Sequence, residues 1–358
     1  MKAIVFYGIE DLRYEPDWAE PRPLRAGEAR IATAWCGICG TDLEDLREGA
    51  IIPIDKPHPE SGRMAPLVIG HEYSGVVVDV APDVTNVKPG DRVAMECIRY
   101  CGHCEFCKMG EFASCVYQVS IGQHDDGGMA EYFNIPAYDC IKIPDDMPLD
   151  IASLAEPLAV MVRAARKGRV SLGDIVTVVG AGTIGLFGIA AARVAGASKV
   201  ISIAHGGYRA EVAKLMGANH VLNSKVDGWL EEFMDLTEGR GSDVVFDCGG
   251  NIPAIRQAVE LARRHGRIVI TTVIDKDVPL SAMDIMYNEK EIIGSVAHQH
   301  DREFKWAVQY LADGRVNPEP MITDRVYIED AVSNGFERLV EDRNQIKILV
   351  TPNKDELK

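Results

Sequence analysis

Four of the nine cysteines fall within one fifteen-residue stretch, Cys101, Cys104, Cys107 and Cys115, in the order C-x2-C-x2-C-x7-C. Cys-x2-Cys steps let neighbouring thiolates converge on one ion, and four thiolates close a tetrahedral zinc shell with Zn–S bonds of ~2.3 Å. A closed shell leaves no position for substrate, so the zinc expected here is structural. Two disulfides are the competing reading, and the lack of a secretory signal argues against them. An Fe–S cluster fits less well, because there is no Cys-Pro run and no fourth cysteine at ferredoxin spacing.

A second chemistry is carried by Gly180-Ala181-Gly182-Thr183-Ile184-Gly185, a G-x-G-x-x-G run between the apolar stretch Ile175–Val179 and a helical pattern over 185–195. In that context the glycines permit a tight turn and close approach to a pyrophosphate on the helix N-terminal dipole. The acid expected about 20 residues further on, which would grip a ribose 2′-hydroxyl, is missing. The second strand ends at Ala204, and His205 and Arg209 follow. A missing negative charge beside a cation predicts NADP(H) over NAD(H). Alternatively, Arg209 is a surface helix residue and the site discriminates weakly between the two.

Three further segments hold ligand-type residues: GICGTD with Cys39, Thr41 and Asp42, GHE with His71 and Glu72, and AEPL with Glu156. Each alone is weak evidence. Cys36, Cys97, Cys140 and Cys248 lack spacing partners and read as small buried hydrophobes. His298 and His300 either reach substrate or nicotinamide or pack at a domain or subunit boundary.

The elements that must position these residues follow two patterns. The first half has short β-like runs (3–7, 29–34, 75–80, 91–94) broken by Gly and Pro, which predicts a barrel-like all-β unit. Residues 51–66 carry four prolines and read as an irregular loop. From the helical pattern Ala155–Lys167 onward, strands at 175–179, 199–204, 221–222, 243–247 and 267–271 alternate with helices, which predicts a parallel, doubly wound sheet. After His298 come a helix (301–311), a strand, a helix and a strand. A length of 358 residues suits two domains. The net charge of −16 argues against nucleic-acid or anionic-membrane partners. No apolar run reaches ~18 residues, so no transmembrane helix is expected. The first eight residues read as a strand rather than a signal peptide, and free thiols then imply the cytoplasm. Lys354–Leu357 spells KDEL but is followed by Lys358, so it reads as a solvated charged tail.

GICGTD, GHEYSG, GDRV, the cysteine segment, EPLAV and GAGTIG occur in an order that resembles the zinc-dependent medium-chain dehydrogenase/reductase superfamily over essentially the whole chain. The resemblance implies an α/β protein with a GroES-like β-barrel catalytic domain (1–154 and 298–358, with a zinc lobe at 97–115) and a Rossmann domain (155–297). It implies a second, catalytic zinc in the cleft between them, making two per chain. Cys39, rather than Cys36, would be its thiolate ligand and His71 its imidazole ligand. Glu72 or Glu156 would take the place of the second cysteine found in other alcohol dehydrogenases, one binding directly while the other exchanges. Asp42 would orient His71, and Thr41 would pass the alcohol proton outward. The zinc would supply Lewis acidity at an open position, and the alcohol would give a hydride to the nicotinamide of NAD(P).

The segments HPESGRMAPLVIGHEYSG and EPLAVMVRAARKG look most like the butanediol and sorbitol dehydrogenase branch. The substrate so implied is the secondary alcohol of a vicinal diol, polyol or hydroxyketone. Threonine 3-dehydrogenase or sugar 1-dehydrogenase activity is the runner-up. A non-catalytic zinc-stabilised binding protein is a reading of another class, against which Cys39, His71, Glu72 and Glu156 speak together. One residue departs from the pattern. The butanediol group has a relay histidine where this chain has Glu44, which either relays protons or is a solvated helix acid. Relatives imply a homodimer or homotetramer joined at the Rossmann sheet edge, near 281–287.

Overall fold

The structure is a computed structural model that describes residues 1–357. The chain divides into two compact units. The first comprises Met1–Glu156, His298–Gly314 and the chain from Ile322 onward, and the second comprises Pro157–Ala297 and Arg315–Met321. Two short pieces therefore group differently from the sequence expectation. Glu156 joins the first unit because His298 holds its carboxylate there. Arg315–Met321 joins the second, where Tyr208 Oη donates to the Pro320 carbonyl at 3.1 Å.

The first unit is built from short antiparallel strands. In chain order they are β1 (Ala3–Gly8), β2 (Asp11–Glu15), β3 (Glu28–Gly37), β4 (Leu67–Val68), β5 (Glu72–Val80), β6 (Arg92–Met95), β7 (Ile98–Arg99), β8 (Val119–Ser120), β9 (Tyr132–Pro136) and β10 (Cys140–Lys142). β1 is the middle strand of a small sheet with β2 and β4. β7 and β8 form a ribbon from which the cysteine lobe projects.

The second unit holds β11 (Ile175–Val179), β12 (Lys199–Ile203), β13 (His220–Leu222), β14 (Ser242–Asp247), β15 (Ala262–Ile270) and β16 (Glu291–Gly294). All pair in parallel in the order β13-β12-β11-β14-β15-β16. β11 and β14 are buried along their whole length, as strands covered on both faces must be, and their sequences IVTVV and SDVVFD are accordingly mostly apolar, the buried Thr177 and Ser242 hydroxyls pairing at 2.7 Å. The chain order reverses between β11 and β14, so the turn after β11 opens at the switch point of the sheet. β16 and the early start of β15 go beyond the sequence expectation. The stretch EIIG is too short to signal a strand unless its neighbour is known.

The chain then returns to the first unit with β17 (Ile322–Tyr327) and β18 (Lys347–Thr351), which complete a sheet ordered β10-β6-β5-β3-β18-β17. β3 is the hub. One of its edges carries β5, and the other carries β9 over its first half and β18 at its end. The register sets Gly37 opposite Glu72 and also opposite Leu349. The end of β3 and the starts of β5 and β18 therefore converge on one place.

The expected helix over 301–311 starts as a wide π turn at His300–Phe304 and becomes α-helical over Lys305–Ala312. The charged tail is docked rather than merely solvated. Trp35 Nε1 donates to Glu356 Oε2 at 3.1 Å, and Lys354 lies over the Tyr327 ring. Among the described residues, no helix is long and apolar enough to cross a membrane.

Asp243 ties the second sheet together. One carboxylate oxygen accepts from the Ile175 amide at 2.8 Å and the other from Arg263 Nε at 2.6 Å. Burial pushes its pKa up, but the Ile175 amide and Arg263 outweigh burial and hold it below the usual range. Asp243→Ala should lower unfolding free energy by about 2–3 kcal/mol in urea titrations at neutral pH. A depressed carboxylate contributes fully above its unfolded pKa. The gap between wild type and variant should therefore close as the pH falls below about 4.

Candidate active site and dinucleotide turn

Cys39 caps the helix Gly40–Glu48, and its amide donates to Asp42 Oδ2 at 2.9 Å. This is the return half of a capping box, and it fixes Cys39 and Asp42 together. The other oxygen of Asp42 faces His71 Nδ1 at 3.3 Å, leaving Nε2 as the ring nitrogen for another partner. Cys39 Sγ, a His71 ring nitrogen and a Glu72 oxygen lie within 4.8 Å of one another. Asp42, His71 and Glu72 are all buried. Burial disfavours a charged His71, but Asp42 and Cys39 outweigh it and raise its pKa well above the ordinary value.

Glu72 is held from two sides. Lys347 Nζ, at the start of β18, donates to both of its oxygens at 2.8 and 2.7 Å and to the Ile38 carbonyl at 2.7 Å. Opposite, a Cβ built on Gly37 would stand 2.1 Å from Glu72 Oε2, so only glycine leaves room for the carboxylate. Burial raises the Glu72 pKa despite Lys347, and the Glu156 charge adds to the rise. One thiolate, one imidazole and one carboxylate form a donor set that suits zinc and leaves a position open for a further ligand.

Glu156 lies beside this cluster but outside the close triad. Its Oε1 is 2.8 Å from His298 Nε2, and His298 Nδ1 is 2.7 Å from Glu96 Oε1. His298 is thus a buried bridge between carboxylates. Of the two roles read from sequence for this residue, packing is the one on view. Cys97 belongs to the same group, which corrects its reading as a partnerless hydrophobe: Glu96, Cys97 and His298 approach within 4.8 Å. Sequence spacing cannot reveal a partner so far along the chain. Thr41 Oγ1 accepts from Gln123 Nε2 at 3.4 Å, and Gln123 Oε1 accepts from Ser120 at 2.8 Å. Glu44 is on the same helix as Asp42. Burial raises its pKa, with Asp45 and Glu48 adding to the effect, and among the described residues no hydrogen bond or ion pair joins it to the cluster.

The four lobe cysteines also group within 4.8 Å of one another as free thiols, an arrangement that suits one shared metal ion. Cys101 Sγ and Cys107 Sγ are 3.9 Å apart. That is close to the ~3.8 Å edge of a tetrahedron with ~2.3 Å bonds. Backbone amides of Cys101, Cys104, Cys107 and Tyr117 point at sulfurs of the group. Such donors favour thiolate. The Cys107 amide leads in lowering the Cys104 pKa to about 6.

In the second unit, Gly180 has φ +100°, and a Cβ on Gly185 would meet the Gly180 carbonyl at 1.9 Å. These two glycines press the turn against the helix Thr183–Val194. A Cβ on Gly182, the cap residue, would come near nothing but Arg209 Nη1 at 3.8 Å. Thr183 and Ile184 open the helix behind it. Ala204 is buried at the end of β12 and His205 is exposed. Arg209 Nη1 thus lies near the open face of Gly182.

Sequence reasoning missed Lys347, Glu96 and Gln123. Lys347 left a signal: it is the one charge in the buried strand KILVT. Glu96 and Gln123 left none.

Residues 25–145 match the model for the alcohol dehydrogenase GroES-like domain, and residues 183–313 match that for zinc-binding dehydrogenases. The chain is 33% identical over 355 residues to (R,R)-butanediol dehydrogenase of Bacillus subtilis, covering 99% of this chain and 100% of the relative. It is 31% identical over 360 residues to sorbitol dehydrogenase of the same organism, covering 99% and 98%. The crystal structure of 2R,3R-butanediol dehydrogenase from Bacillus subtilis superposes with a TM-score of 0.90 at 32% identity, covering 98% of this chain and 99% of that one. With a barrel-like unit, a doubly wound parallel sheet and a cysteine–histidine–glutamate cluster, the chain belongs to the zinc-dependent medium-chain dehydrogenase/reductase family, in its butanediol and sorbitol dehydrogenase branch.

Proposed function

We propose that this enzyme transfers a hydride between the secondary alcohol of a vicinal diol, polyol or hydroxyketone and NADP(H). The observation that carries the reading is the buried triad Cys39, His71 and Glu72, with Asp42 behind the imidazole, in a chain that matches butanediol and sorbitol dehydrogenases end to end. Cys39, His71 and Glu72 would hold the catalytic zinc, and Cys101, Cys104, Cys107 and Cys115 a structural one, two per chain. When bound, the catalytic zinc supplies Lewis acidity toward an alcohol or carbonyl oxygen. Glu72 is favoured over Glu156 as the direct ligand because it alone falls within the close group.

The remaining roles belong to the chain's own residues. Asp42 fixes the His71 ring. Thr41 Oγ1 accepts from Gln123 and keeps a second lone pair that would accept the alcohol O–H while its own O–H passes a proton outward; a bound nicotinamide would be the hydride acceptor. Glu44, with its raised pKa, is a candidate for the next proton acceptor. Gly180, Gly182, Thr183, Ile184 and Gly185 take the pyrophosphate. Ala204 presents no acid to a ribose, and Arg209, with His205 nearby, offers positive charge to a 2′-phosphate.

The partner of the protein is a second copy of itself. β16 is the edge of the sheet, and Met283, Met286, Tyr287 and Val296 around it are exposed apolar side chains. Joining two β16 strands about a twofold axis would satisfy the edge and cover them. The cytoplasm, a reducing compartment, is the location we infer, and the nine free thiols support that reading.

Three measurements test these roles. With a panel of diols, polyols, hydroxyketones and threonine, nicotinamide absorbance should show the highest kcat/KM for a vicinal diol or its hydroxyketone with NADP(H). A preference for NAD+ would refute the Arg209 role, and a preference for threonine would favour the runner-up. Metal analysis should find two zincs per chain, and Cys39→Ser should lose one together with turnover; one zinc in the wild type, held by the lobe, would support the non-catalytic reading. Gly37→Ala, which pushes into Glu72, should weaken binding of the same zinc by ~10–100-fold and leave the lobe zinc in place.

A further inference from the structure

His298 has no assigned part in the chemistry, yet it is among the most completely buried polar residues of the first unit, at 1% exposure. Its ring is not packed against apolar atoms alone. Nε2 faces Glu156 Oε1 at 2.8 Å and Nδ1 faces Glu96 Oε1 at 2.7 Å. A neutral imidazole has one N–H and would turn a lone pair toward one of the two carboxylates, whereas the doubly protonated ring donates toward both. Glu96 is itself 1% exposed, and its carboxylate faces His298 and the Ile98 backbone amide. The two acids and the ring thus depend on one another.

The residues that follow His298 are gripped by the cysteine lobe. Gln299 Nε2 donates to Glu111 Oε2 at 2.9 Å. The His300 ring stacks on Tyr100 at 5.3 Å between centroids and packs against Phe112 at 5.5 Å. Glu111 and Phe112 lie between Cys107 and Cys115, two of the four lobe cysteines. The lobe therefore holds the backbone on which His298 sits.

We propose that His298 is a positioning residue: bridged to Glu96 and braced through Gln299 and His300 by the cysteine lobe, it fixes the Glu156 carboxylate beside the Cys39–His71–Glu72 cluster and so couples the structural lobe to the reaction centre. The inference rests on the reading of that cluster as the catalytic metal site. It gives the lobe a role in catalysis beyond local stability, exerted through packing and hydrogen bonds rather than by contact with substrate.

The test uses the full-length enzyme, its Cys39-site metal exchanged for cobalt(II) by mild chelation with the lobe zinc retained. In His298→Gln, whose two N–H donors sit on one nitrogen and so cannot replace both ring N–H groups, the visible cobalt bands should shift and kcat should fall ~10–100-fold while KM for the nicotinamide cofactor stays near wild type. His298→Arg, a cation with donors enough for both carboxylates, should restore most of the spectrum and rate. Glu96→Gln should reproduce part of the loss, and so should Phe112→Ala with its lobe zinc intact. Wild-type bands and kcat in His298→Gln and Glu96→Gln would overturn the proposal and leave the assigned function standing. A third metal equivalent in the wild type, lost in Cys97→Ser, would overturn it by making Glu96, Cys97 and His298 a metal site. A wild type that takes up no cobalt outside the lobe would refute the functional reading as well.

Discussion

Buried carboxylates need buried cations, and the first unit is organised around that constraint. Asp42, Glu72, Glu96, Asp139 and Glu156 are all at or below 8% exposure. An unpaired charge in such a place costs several kcal/mol, so each acid needs a counter-charge, a proton or a metal ion. Asp42 has His71, Glu72 has Lys347, and Glu96 and Glu156 share His298. Two of these three cations come from late in the chain. The return of the polypeptide after the second unit is therefore more than a topological detail, since His298 and Lys347 are the residues that let Glu156 and Glu72 exist in the interior. A dense carboxylate cluster that a lysine and two histidines only partly balance is also an environment in which a divalent cation is favoured.

The second unit rests on different physics. Its central strands carry few charges, and its stability comes from apolar side chains between sheet and helices, with Asp243 pinning three strands at one end. Its ligand-binding character comes from the absence of side chains: glycine at 180, 182 and 185 lets backbone pack on backbone and leaves amide donors facing outward at the helix start. Charge enters at Arg209, whose Nη1 lies near Gly182, while Ala204 after β12 carries no acid.

The degree to which the protein was legible in its sequence follows from how local each signal is. The four-cysteine lobe and the glycine turn are local patterns, and both could be read from spacing with their chemistry. The parallel sheet was legible because continuous apolar strands alternate with helices, although β16, whose four residues gain a pattern only beside β15, was not. Cys39, His71 and Glu72 could be gathered only through family resemblance, because a strand register, Gly37 opposite Glu72, is what joins them. Lys347 and Glu96 lay beyond both routes. Each acts on a residue hundreds of positions or one sheet away, and a single charged letter in an apolar strand does not say whom it neutralises. Cys97 was misread for the same reason.

The first unit gathers candidate metal ligands in two chemically different environments, one of four sulfurs and one of sulfur, nitrogen and oxygen. Zinc K-edge X-ray absorption on the purified protein tests it most directly. The spectrum should show a mixed nearest shell, with sulfur at ~2.3 Å and nitrogen or oxygen at ~2.0–2.2 Å, the lighter shell disappearing in Cys39→Ser while the sulfur shell of the lobe remains. A wild-type spectrum explained by sulfur alone would contradict it.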